Sequence, residues 1–171
     1  MGSAGNRNHW FLAGLTEPAP EGRIKAGGHS MKTPWHIWVV GILSLLWNAG
    51  GAFDWVMAHF AGESYMGMMT EEQRAWYQDF PAWAEVFWAL GVWGAVIGSL
   101  LILVKSRFAV GAFALSIIGL IGNSVHSVLS MGNALVDMMG PGAMLFNLAI
   151  IIVAIALWAY AKRMTARGVL R

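Results

Sequence analysis

The sequence predicts an all-α fold, an integral membrane four-helix bundle with both termini cytoplasmic. Three observations lead there. The chain of 171 residues is 57% hydrophobic and only 12% charged, about half the charge of an ordinary soluble domain. Its apolar residues gather in four runs of about 20, the length a helix needs to cross a bilayer. Its basic residues fall almost entirely on one side of those runs.

Residues 1–33 form an amino-terminal extension. "MGSAGNRNHWFLAGLTEPAPEGRIKAGGHS" is rich in Gly, Pro and polar residues and has no apolar period, so disorder is expected. "MKTPWHIW" then reads as a start of its own, with Met31 as an alternative initiator. The four-helix domain is expected over 34–163, and a basic cytoplasmic tail over 164–171.

The first span is expected at 35–58, with Pro34 in its first turn, where a missing N–H costs nothing. It is too long for the 7–15-residue core of a cleaved signal, and three further spans follow. The second span is expected at 83–104, after Pro81. The third is expected at 108–130, joined to the second by "KSR", which permits only a tight antiparallel turn. The fourth is expected at 142–161, after Pro141. Lys and Arg set the direction. Arg7, Arg23, Lys25, Lys32, Lys105, Arg107, Lys162, Arg163, Arg167 and Arg171 make ten of the eleven on one side, with Arg74 the exception. The long loop between the first two spans instead carries Glu63, Glu71, Glu72 and Asp79.

With that direction, the polar residues inside the spans gather in the outer leaflet. Asn48 and Asp54 come from the first span, Glu85 from the second, Asn123 and His126 from the third, and Asn147 from the fourth. Helical spacing of Gly41, Ser44, Asn48 and Gly51, and of Ser116, Gly119, Asn123 and His126, supports inward-facing stripes. The expectation is one polar cluster in which Asn48, Asp54 and His126 meet, serving a solute. The alternative is that the amides are interhelical glue, that Asp54 and Glu85 reach water from the interface, and that His126 is a packing residue. Gly91, Gly94 and Gly98 mark a helix-packing face on the second span, usable by an oligomer.

Other chemistry is expected to be absent. There is no cysteine, hence no thiolate nucleophile or Cys-based metal site. His59, Asp54, Glu85 and His126 lack the paired spacing of a metal site on one helix, so no metal and no other cofactor is expected. A phosphate-binding glycine loop and a nucleophile elbow are both missing, so no catalytic residue and no enzyme activity is expected. The isoelectric point near 9.2 reflects topology rather than a nucleic-acid patch.

"LLWNAGGAFDWVM", "FPAWAEVFWALGVWGAVIGSLL", "KSRFAVGAFALSIIG" and "MKTPWHIW" resemble a group of short bacterial four-span membrane proteins often labelled sugar transporters. The resemblance covers roughly residues 31 to 130. It implies a small multi-pass protein of the bacterial inner membrane, carrying a sugar-like solute. A four-helix interior is filled by side chains, so transport would require a parallel homo-oligomer. The alternative is a non-transporting accessory or assembly subunit packed against a larger membrane partner.

Overall fold

The structure is a computed structural model and describes residues 33–132 and 134–171. The expected amino-terminal extension, apart from Thr33, lies outside the described residues. Among the described residues six helices are present: α1 (His36–Phe60), α2 (Glu63–Met66), α3 (Glu71–Gln78), α4 (Ala82–Leu103), α5 (Ala109–Met131) and α6 (Ala134–Ala166). There is no strand among the described residues. The four long helices, α1, α4, α5 and the Gly140–Ala166 part of α6, are long and apolar enough to cross a membrane.

Local chemistry explains the boundaries. Ile37 N–H donates to the Pro34 carbonyl at 3.1 Å as α1 begins. Pro81 holds an extended backbone, and its carbonyl accepts from Ala84 and Glu85 at 2.9 and 3.1 Å to start α4. At α3, Thr70 and Gln73 form a reciprocal capping box with bonds of 3.1 and 3.2 Å. Between α4 and α5 the chain reverses at Lys105, whose φ of 58° is left-handed. The fourth element departs from expectation. Helix begins at Ala134, breaks at Gly140 (φ 72°, ψ 166°) and resumes at Pro141. A left-handed glycine followed by a residue without an N–H ends one helix and starts another.

The long helices run alternately up and down, α4 packing most extensively on α5, then α1 on α4 and α5 on α6. The α4–α5 seam is a backbone-to-backbone approach. A Cβ at Gly94 would lie 3.0 Å from the Ala112 carbonyl, and one at Gly98 would lie 2.8 Å from the Phe113 ring. Ser116 Oγ donates across the seam to the Gly91 carbonyl at 2.6 Å. Gly91, Gly94 and Gly98 are therefore buried within one chain. This corrects their expected use as an oligomer interface: α5 already occupies the space their missing side chains leave.

At the basic end, Ile37, Ile102, Phe113, Leu157, Ala161, Met164 and Leu170 form one core drawn from all four long helices and the chain terminus. Of residues 164–171, Met164, Val169 and Leu170 join this packing. Arg107 N–H donates to the Arg171 carbonyl at 2.9 Å, and Arg171 N–H to the Lys105 carbonyl at 2.8 Å. Leu170 is only 2% exposed.

Candidate functional site

The six polar residues expected to converge fall into separate places. Asn48 stands on α1 and turns to α4. Its amide donates to Ser99 Oγ at 3.0 Å and to the Ala95 carbonyl at 3.3 Å, while Ser99 Oγ donates to the same carbonyl at 2.9 Å. Ser99 is fully buried. This is an interhelical clasp, and it absorbs the Asn48 donor without reaching α5.

The second group lies at the end of the bundle that carries α2 and α3, the loop end. Asp54, near the close of α1, accepts a hydrogen bond from the Tyr65 hydroxyl on α2. Burial, then the Asp54 hydrogen bond and its negative charge, pushes the Tyr65 phenol up to about 12. Tyr77 on α3 is also pushed up, chiefly by burial, then by the negative charge of Asp54 and by Tyr65 and Glu85. The Tyr65 bond ties α2 to the end of α1.

Glu85 opens α4 and takes two donors on one oxygen. Trp55 Nε1–H donates to Oε1 at 3.0 Å, and His59 Nε2 lies 2.8 Å from the same atom. His59 Nδ1 faces the Trp55 carbonyl at 2.7 Å, so that nitrogen carries a proton. The His59 ring stacks on Trp55 with centroids 4.1 Å apart, and Trp88 stands 5.7 Å away. The i, i+4 spacing of Trp55 and His59 brings the two rings onto one face of α1.

His126 occupies a third place, beneath α3 on the α5 side. It is buried among Phe80, Trp83 and Trp76, with ring centroids 4.5, 5.3 and 5.8 Å away. Trp76 Nε1–H reaches Ser130 Oγ at 3.2 Å, which pins α3 over the histidine. Among the described residues, His126 Nδ1 and Asn123 Oδ1 are buried without a hydrogen-bond partner. Both lie on the same face of α5, one turn apart.

Asn147 is exposed on α6 and joins none of these groups. The structure thus brings Asp54 and Glu85 to one end of the bundle. It separates Asn48, His126 and Asn147, because helical phase orders residues on one helix and does not say which neighbour that face meets. Sequence reasoning missed Tyr65, Tyr77, Trp55 and Ser99 as partners. Only Trp55 carried a signal, through its spacing from His59. Among the described residues no three His, Asp or Glu side chains gather as a metal-binding set.

No family model, curated protein or solved structure matches the chain. Fold and site define a class: an all-helical, multi-pass membrane protein, with a hydrogen-bonded aromatic and acidic cap at one end.

Proposed function

We propose that the chain is a non-enzymatic accessory subunit of the bacterial inner membrane, with both termini cytoplasmic, that works by packing against a membrane partner. The observation that carries this is how the bundle axis is filled. Phe113, Ile37 and Ile102 are buried at the basic end, and α4 and α5 approach backbone to backbone beside them. A solute path needs room among the spans, and at the basic end side chains and close helix packing occupy it. The lateral surface, by contrast, is broadly apolar and open, with Leu46, Phe53, Leu129 and Leu145 all exposed. The orientation rests on the ten basic residues against one. Proteoliposomes of the purified protein should show no uptake of labelled sugars, and a reporter fused after Arg171 should read cytoplasmic. Protein-dependent uptake sinks the accessory reading; an external reporter sinks the orientation.

One observation favours the second reading, a small-solute transporter related to the family the sequence resembles. The unsatisfied His126 nitrogen lies under Trp-bearing α3, with the unsatisfied Asn123 oxygen one turn away on α5. An outward movement of α3 would open two hydrogen-bonding groups beside aromatic rings, as a sugar-like solute requires. Under that reading His126→Ala abolishes uptake with the bundle still folded.

A further inference from the structure

Asn147 is a polar residue that the fold leaves facing outward within a span. It lies seven residues beyond the Gly140 break, about 10 Å into the membrane at 1.5 Å per residue. Its neighbours Met144, Leu145, Phe146 and Leu148 are exposed and apolar, as a lipid-facing surface should be. An amide turned to hydrocarbon has no water to bond with and is costly unless another protein group meets it.

An apolar groove opens on the same face of the helix. On the face that Asn147 shares with Ile151 and Ile155, α6 stands off from α5 and leaves an apolar groove of about 340 Å³. Ile121, Val125 and Leu129 line its other wall. The fourth span is also the least covered of the four: 12% of its apolar window is buried within the chain, against 28% for the second and third.

We infer that the groove seats α6 of a second, parallel copy of this chain, with the two Asn147 amides hydrogen-bonded to each other. This rests on the proposed orientation and on the packing role. Two copies inserted the same way are related by a twofold axis along the membrane normal. Each residue then meets its counterpart at its own depth. An amide both donates and accepts, so Asn147 is self-complementary across that axis. A single polar amide in an apolar helix interface is also what fixes register between paired helices.

The absence of cysteine makes the test direct. By helical spacing Met144 falls on the face of Ile151, and Leu145 falls about 100° round the helix from it at nearly the same depth. In native membranes under mild oxidation, Met144→Cys should give a disulfide-linked dimer and Leu145→Cys should not. Adding Asn147→Leu to the Met144→Cys chain should weaken self-association about threefold to tenfold, the range of one interhelical polar contact. Asn147→Gln should retain it. Equal cross-linking at 144 and 145, none at 144, or a dimer indifferent to Asn147→Leu overturns the proposal; the groove would then hold lipid or another helix. Solute uptake would count against the accessory reading instead, and leaves the cross-linking pattern to judge the dimer.

Discussion

Substituting Gly119 by alanine tests the tightest part of the bundle. Gly119 lies on α5 opposite Gly91, and a Cβ there would fall 2.6 Å from Gly91 Cα and 2.6 Å from the Phe87 carbonyl. Both obstacles are backbone, so neither can rotate away. Relief requires α4 and α5 to separate by about 1 Å, enough to restore ordinary carbon contacts of about 3.5–4.0 Å. The same movement would stretch the Ser116–Gly91 bond from 2.6 Å to about 3.6 Å, past the range of a hydrogen bond. Overpacking costs about 1–3 kcal/mol, and an interhelical bond in a membrane adds about 0.6 kcal/mol. The expected loss is therefore about 2–4 kcal/mol. Gly111→Ala is the matched control on the same helix, since nothing lies within 4 Å of its added carbon; it should lose no stability and gain up to about 1 kcal/mol from helix propensity. Unfolding in mixed micelles followed by helical circular dichroism measures both. If Gly119→Ala proves as stable as wild type, or Gly111→Ala as damaging, the backbone-contact account of the seam is wrong.

Three further outcomes are expected. In a double-mutant cycle, Asn48→Leu and Ser99→Ala should couple by about 0.5–1.5 kcal/mol, whereas Asn48→Leu and His126→Leu should add independently; coupling of the second pair would show that the two residues meet after all. Ultraviolet titration should find the Tyr65 phenol ionising near pH 12, well above the free value of 10. A raised folded value means that this stabilisation is complete below pH 10 and lost as the pH climbs through about 12. Tyr65→Phe should remove that part of the alkaline destabilisation, and an unchanged alkaline profile in the variant would count against the Asp54 contact. Leu170→Ala should cost about 2 kcal/mol in the unfolding assay, because a buried leucine is truncated in the basic-end core; no loss would mean that the terminus is not docked.

Four membrane-length helices and their starts after Pro34 and Pro81 were legible in the sequence, because burial in lipid leaves long apolar runs and proline marks helix entry. The face bearing Gly91, Gly94 and Gly98 was legible too, since small residues at helical spacing show wherever helices pack closely. What they pack against was not. That α5 fills the face from within the same chain depends on which helices become neighbours, and periodicity carries no such information. The polar residues divide the same way. Sequence placed Asn48, Asp54, Glu85, Asn123, His126 and Asn147 within the spans, from hydropathy and spacing alone. Only the tertiary structure decided that Asn48 would spend its donor on Ser99, that Trp55 and His59 would close on Glu85, and that Asn147 would face outward. Each of those outcomes is set by the rotation of one helix against another, and that rotation follows from side-chain packing along the whole seam.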